Sequence, residues 1–132
     1  AGIAGPVANR LRELGHKNIL EVNFMAHSLD LKHANMRSYM WGQMKQALQN
    51  GLAIDKSPAL EEDLTAPGYR HDRQVRLLLE PKDKIIQRIG HSTDDGDALA
   101  LTFAMAVRQE EQKKQEYATQ NIRADNLQGW MA

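Results

Sequence analysis

The chain contains no cysteine, and this absence excludes several kinds of site at once. Disulfides, thiolate zinc sites, iron–sulfur clusters and cysteine nucleophiles all require that side chain. Long hydrophobic runs are also missing, because no apolar stretch approaches the ~18 residues that a membrane span needs. The formal net charge is zero, so the chain lacks the overall basic charge of a general polyanion binder.

Several well-defined catalytic motifs are missing as well. The sequence has no ATPase phosphate loop, no dinucleotide-binding glycine pattern after a strand, no H-E-x-x-H and no G-x-S-x-G. Its five histidines are scattered, and no two of them stand at a metal-ligand spacing: His16, His27, His33, His71 and His91. We therefore interpret each of them as an ordinary surface or core histidine.

What is present is typical of one globular domain. The 132 residues are 42% apolar and 26% charged, which suffices for a single hydrophobic core. The first five residues lack an initiator Met and the features of a signal peptide, so we expect the chain to derive from within a longer gene product. Regular patterning stops near residue 117, which predicts a domain over 1–117 and a polar tail over 118–132.

Hydrophobic spacing predicts five helices and three strands. The helices are expected over 6–14, 35–50, 57–64, 83–89 and 92–117, and the strands over 18–25, 52–54 and 74–80. Such alternation is typical of an α/β domain with a mixed sheet. In the second helix Met36, Met40, Met44 and Leu48 form a stripe at i, i+4 spacing, which we interpret as core. The apolar stretch 98–107 of the last helix is expected to be buried on most sides.

The most distinctive constellation is acidic and lies where the last predicted helix begins. Ser92 or Thr93 can cap that helix, and Asp94 and Asp97 are spaced to project from one side of it. Two carboxylates placed in this way can hold Mg²⁺ or Mn²⁺. The alternative is that acidic residues in the first turn only complement the helix dipole.

A basic stretch precedes the acidic one. Residues 68–90 carry six Lys or Arg against three Asp or Glu, a local charge of +3 in a neutral chain. Arg73, Arg76 and Lys82 are the candidates there for contacts to DNA phosphates. The alternative is that these side chains only form the solvated faces of a strand and a helix.

Residues 92–104 read STDDGDALALTFA. This segment resembles the S-P-D-x-A-D-A-L-x-L-T-F-A signature at the end of the nuclease domain of bacteriophage terminase large subunits. Weaker resemblances occur upstream in the same order, over about residues 1–107. They comprise the Gly-rich turn at 2–7 with Arg10 and Leu11, the segment 22–24, Asn35, Arg37 and Trp41, the segment 51–54, Leu60 and Leu64, the segment 79–82, Arg88 and Gly90.

The resemblance implies a ribonuclease-H-like fold, with a mixed sheet flanked by helices, and a metal-dependent DNA endonuclease. Such enzymes cut concatemeric double-stranded DNA during packaging into the procapsid, together with a terminase small subunit and a portal protein, in the host cytoplasm. Asp97 matches the last catalytic aspartate and Asp94 a second metal-side group, with two Mg²⁺ or Mn²⁺ ions in the complete domain. Asp95 falls at a variable position, and Lys82 would lie near the scissile phosphate.

The match departs from the family pattern in two ways. First, Thr93 replaces a proline and Gly96 replaces an alanine. Second, the family's other essential aspartates would lie upstream of the Gly-rich turn, and in this chain that turn begins at residue 2. We therefore expect the N-terminal strands of the domain to be missing and this chain alone to be inactive. The alternatives are a non-catalytic module that grips DNA or docks on a portal, and another ribonuclease-H-like nuclease such as a resolvase or transposase.

Overall fold

The structure is a computed structural model that describes residues 4–105. The predicted tail over 118–132 and the second half of the predicted last helix lie outside these residues. In chain order the elements are α1 (Ala4–Glu13), α2 (Met36–Gln49), α3 (Pro58–Thr65), β1 (Tyr69–His71), β2 (Leu77–Leu79), α4 (Lys82–Ile89) and α5 (Asp94–Leu101). The mixed α/β class is thereby confirmed. None of these helices has both the length and the apolar character that crossing a bilayer requires.

The helices of the middle of the chain begin and end at the residues that the sequence indicates. The Asn35 side chain accepts a hydrogen bond from the Ser38 N–H and caps α2, and Ser57 caps α3 through the Leu60 N–H. Gly90 ends α4 with a left-handed backbone at φ 87°. These signals are local, and for that reason the predicted helices over 35–50, 57–64 and 83–89 are confirmed.

The predicted strand over 74–80 is correct only for its second half. β2 pairs with β1 in an antiparallel hairpin, with Tyr69 opposite Leu79. Residues 74–76 belong to the connecting turn, in which the Asp72 carboxylate accepts the N–H groups of Gln74 and Arg76. The other edge of β2 forms a parallel bridge between Leu77 and His33. The sheet of the described residues therefore has two strands.

The strands predicted over 18–25 and 52–54 are wrong. Val22 and Phe24 do pack against the core, yet their segment joins no strand, and the Phe24 carbonyl accepts a hydrogen bond from the Arg37 N–H at the start of α2. Alternating apolar residues identify an extended segment with one buried face. A strand also needs a neighbouring strand to pair with, and residues 4–105 provide none for either segment.

The core lies between α2 and α5, with α3 packed on α5 and β2 on α2. The methionine stripe is confirmed as core, because Met36, Met40 and Met44 are all buried, together with Trp41, Ala100 and Ala104. The last helix is shorter than predicted. α5 ends at Leu101 and gives way to turns, and both Leu101 and Met105 are exposed, so the expected burial of 98–107 on most sides is wrong for them.

Candidate functional site

Asp97 is the centre of the candidate site. It lies in the first turn of α5, where its N–H donates to the Thr93 carbonyl, and only 5% of its surface is exposed. An ionised carboxylate at that depth requires compensating partners, because burial removes the water that would otherwise solvate it. The arrangement of those partners defines the site.

One oxygen of Asp97 is held by two donors from α2. The Arg37 Nε donates to Oδ1 over 3.0 Å, and the Trp41 indole Nε1 donates to the same oxygen over 2.8 Å. The two donors are four residues apart, which places them one above the other on the same face of the helix. Together they fix the orientation of the carboxylate.

Arg37 is itself buried and connects three parts of the fold. Its Nη1 donates to the Glu80 carbonyl over 2.8 Å, and its Nη2 lies 3.5 Å from the Thr93 hydroxyl oxygen. Thr93 is the residue that precedes α5, but its side chain makes no capping hydrogen bond. Of the two predicted capping residues, Thr93 does not cap, because its hydroxyl faces the Arg37 guanidinium instead, and the Ser92 hydroxyl donates to Asp94 Oδ1.

The second oxygen of Asp97 has a different environment. Oδ2 is buried and accepts no hydrogen bond of good geometry from the described residues. The Lys82 ammonium lies 3.0 Å from Oδ2 as an ion pair and donates a hydrogen bond of 2.8 Å to Asp94 Oδ1. Lys82 therefore bridges the two carboxylates that the sequence singles out.

The charges of this bridge affect the protonation of its exposed members. The Lys82 ammonium, and after it the Ser92 hydroxyl, lower the pKa of Asp94 below its usual range. Partial burial acts to lower the pKa of Lys82, but the contacts with Asp94 and Asp97 outweigh it and raise that pKa. Lys82 is thus a cation and Asp94 an anion across the neutral pH range.

The predicted DNA-contacting residues are only partly brought together. Lys82 belongs to the site, whereas Arg73 and Arg76 lie in the hairpin turn between β1 and β2. Arg76 pairs with Asp72 over 2.8 Å, and Arg73 is exposed. Among residues 4–105 no hydrogen bond or ion pair joins either arginine to Asp94 or Asp97.

Sequence reasoning assigned no role to three residues that build the site. Arg37 and Trp41 appear in the family resemblance without a role, although their spacing of four placed them on one helical face. Asp63 is buried at the end of α3, where its Oδ2 accepts the Gly96 N–H over 3.0 Å. Asp63 is the third of three consecutive acidic residues, and the sequence gave no signal of this contact because it depends on packing α3 against α5.

Gly96 lies in the first turn of α5, at the position where the signature that the segment resembles has an alanine. A Cβ at this position would lie 2.9 Å from the ring of Trp41 and 3.2 Å from the Cβ of Asp63. An alanine therefore does not fit without movement of a buried ring that is hydrogen-bonded to Asp97. The glycine allows α5 to approach α2 and α3 closely enough to form the site.

The two carboxylates fit part of a divalent-cation site. The Oδ2 of Asp97 and the Oδ1 of Asp94, both in contact with the Lys82 ammonium, are the kind of hard oxygen ligand that Mg²⁺ and Mn²⁺ prefer. Over residues 4–105 no group of three or more His, Asp or Glu side chains is arranged to hold a metal ion. Within these residues the arrangement therefore brings together two candidate ligands, Asp94 and Asp97.

Comparisons with protein-family models, with curated proteins and with solved structures found no match to this chain.

Proposed function

We propose that this chain is the C-terminal part of the nuclease domain of a phage-type terminase large subunit, with a ribonuclease-H-like fold. In this proposal the complete protein cuts concatemeric double-stranded DNA during packaging, in the host cytoplasm, with a terminase small subunit and a portal protein as partners. The observation that supports it best is the buried Oδ2 of Asp97, which accepts no hydrogen bond from the described residues and faces the Lys82 ammonium beside Asp94. A buried carboxylate oxygen without a hydrogen bond is rare and often marks a functional group.

Asp97 and Asp94 would hold a Mg²⁺ or Mn²⁺ ion in the complete domain, and the resemblance assigns the remaining ligands to aspartates upstream. When bound, the metal ions activate water and stabilise the leaving oxygen of an in-line phosphodiester hydrolysis. Arg37 and Trp41 would keep Asp97 Oδ1 in one orientation, so that Oδ2 is the oxygen available to a ligand. Such rigid support of a ligand is what metal sites require.

DNA would be gripped by Lys82 of this site and by two arginines of the hairpin turn between β1 and β2. Arg73 lies exposed in the hairpin turn. Arg76 lies in the same turn, where its guanidinium forms a partly exposed ion pair with Asp72. Exposed arginines bind phosphates without regard to sequence, and they make affinity steeply dependent on salt. This role suits an enzyme that cuts long DNA.

The decisive experiment measures cleavage of plasmid DNA with Mn²⁺ by the protein extended upstream of residue 1. Asp97→Asn should abolish cleavage, whereas Asp95→Asn should retain it. Asp95 makes a matched control because it is exposed, undergoes the same change of charge and lies in the same turn of α5. Cleavage by Asp97→Asn at the parent rate, with folding verified by circular dichroism, would overturn the assignment.

One observation favours a second function, a non-catalytic module that grips DNA. Arg37 and Lys82 already neutralise the two carboxylates, so the cluster is balanced without a metal ion. In that case the extended protein would bind DNA in a salt-dependent manner and cut none. Binding would then weaken when Arg73, Arg76 and Lys82 are replaced.

A further inference from the structure

We propose that Lys82 is an internal cation of the Asp94–Asp97 pair and leaves it when a divalent cation binds. This inference rests on the proposed function and concerns what controls the affinity of the same site for divalent cations. The ammonium lies 2.8 Å from Asp94 Oδ1 and 3.0 Å from Asp97 Oδ2, and so occupies the space between the two carboxylates. An ion shared by both oxygens would need that same space.

The charge balance of the cluster indicates that a divalent cation replaces the Lys82 ammonium and does not bind beside it. Two positive groups, Arg37 and Lys82, face two negative groups, Asp94 and Asp97. A divalent cation added with Lys82 in place would stand against an ammonium at contact distance, where like charges repel strongly because the surroundings are partly buried. Departure of Lys82 removes that repulsion.

The surroundings of Lys82 and Asp97 indicate which of the two side chains moves when a divalent cation binds. The side chain of Lys82 is 40% exposed and lies in the first turn of α4, so the flexible stem can turn the ammonium into water. Asp97 cannot follow it, because Arg37 and Trp41 hold its Oδ1 and its side chain is only 6% exposed. Lys82 is therefore the member that moves, and the affinity of the site for divalent cations is set by how readily it leaves.

The test uses Trp41 as a reporter, because its indole is hydrogen-bonded to Asp97. The sequence has two tryptophans, so Trp130→Phe in the full chain leaves Trp41 as the single one. Mn²⁺ is titrated while the fluorescence of Trp41 is recorded, in the absence of DNA. Lys82→Met should bind Mn²⁺ at least about tenfold more tightly than the parent, since the competing charge is gone.

Lys84→Met is the matched control, since Lys84 is exposed on the same helix and loses the same charge. It should change the affinity by less than about twofold, as expected of a screened surface charge. Equal effects of the two variants, no response in any variant, or a response that survives Asp97→Asn would each overturn the inference. Lys82→Gln replaces Lys82→Met if the latter fails to fold.

The outcome is independent of cleavage, so the two proposals fail separately. Tighter Mn²⁺ binding by Lys82→Met in a protein whose extended form never cuts DNA would overturn the nuclease assignment alone. Cleavage that depends on Asp97, with Mn²⁺ binding unaffected by Lys82, would overturn the exchange alone.

Discussion

The indole of Trp41 donates a hydrogen bond of 2.8 Å to Asp97 Oδ1, and the same ring fills the space beside Gly96 that a Cβ would occupy. One side chain of α2 therefore fixes both the carboxylate at the start of α5 and the distance at which the two helices pack. The candidate site and the packing of the core depend on the same contact.

Replacing Trp41 with Phe tests the hydrogen-bonding part of this contact. Phe keeps most of the apolar volume but leaves Asp97 Oδ1 with Arg37 as its one donor within residues 4–105. We expect the free energy of unfolding to fall by about 1–3 kcal/mol, the usual cost when a hydrogen bond to a charged group is lost. Urea unfolding provides the measurement. Tyr39→Phe serves as the control, because the Tyr39 hydroxyl makes no hydrogen bond within residues 4–105, and it should change stability much less.

Replacing Arg37 with Met breaks the buried ion pair with Asp97. The carboxylate would remain buried with the Lys82 ammonium as its remaining cationic partner, and breaking a buried ion pair by removing one partner costs about 3–5 kcal/mol in proteins. Thermal and urea unfolding should both show the loss. Arg76→Met removes the same charge from the partly exposed pair with Asp72 and should cost far less. Similar losses in the two variants would contradict a special role for Arg37.

Replacing Gly96 with Ala tests the close approach of α5. Alanine favours a helix by about 1 kcal/mol over glycine, yet its Cβ would lie 2.9 Å from the Trp41 ring. Because that ring is buried and hydrogen-bonded, we expect overpacking to win, with a net loss of about 1–2 kcal/mol. Gly5→Ala in α1, where nothing lies within 4 Å of the added Cβ, should be neutral or stabilising. A stabilised Gly96→Ala protein would show that the ring moves freely.

Replacing Val75 with Gly should stabilise the hairpin. Val75 has a left-handed backbone at φ 61°, which is strained for a β-branched residue, and its side chain is 78% exposed. Relief of that strain should outweigh the added freedom of glycine in the unfolded chain and give a gain of about 0.5–1 kcal/mol. Arg73→Gly, in the same turn without a positive φ, should give no gain. Differential scanning calorimetry of both variants provides the comparison.

His91 should make stability depend on pH. The Ser92 carbonyl and then Glu62 and Asp63 raise the pKa of His91 above its ordinary value of 6.5, so the folded state binds the proton more tightly than the unfolded chain. Its stabilising effect is fully present below pH 6.5 and is lost as the pH rises through the raised pKa. In His91→Gln, the parent's advantage in unfolding free energy should therefore shrink as the pH rises. An advantage that stays constant as the pH rises would contradict this assignment.

The elements that the sequence predicts correctly are those whose signals are local. The Asn35 and Ser57 caps bond within three residues, and Gly90 ends α4 by its own backbone conformation. The α1 helix is also found where the stripe of Val7, Leu11 and Leu14 indicates it. That stripe is nevertheless exposed in the described residues, because periodicity predicts a helix but not the surface that covers it.

The strands could not be predicted in the same way. An alternating pattern predicts an extended segment, and whether that segment becomes a strand depends on a partner elsewhere in the chain. Residues 18–25 carry the pattern but find no partner strand among residues 4–105, whereas Tyr69–His71 lacks it and pairs with β2. The position of the hairpin turn likewise depends on the Asp72 carboxylate, which holds residues that the pattern had assigned to the strand.

In the candidate site, too, some features follow from local sequence spacing and others from tertiary packing. Sequence alone determined that Asp94 and Asp97 share one side of a helix start, since their spacing of three fixes this. Tertiary structure alone decided that Arg37, 60 residues away, compensates the buried charge of Asp97. It also decided that Lys82 bridges both carboxylates and that Gly96 is required by a tryptophan. The physical reason is that helical spacing acts within a few residues, whereas a buried charge is stabilised by whichever groups the packed core brings to it.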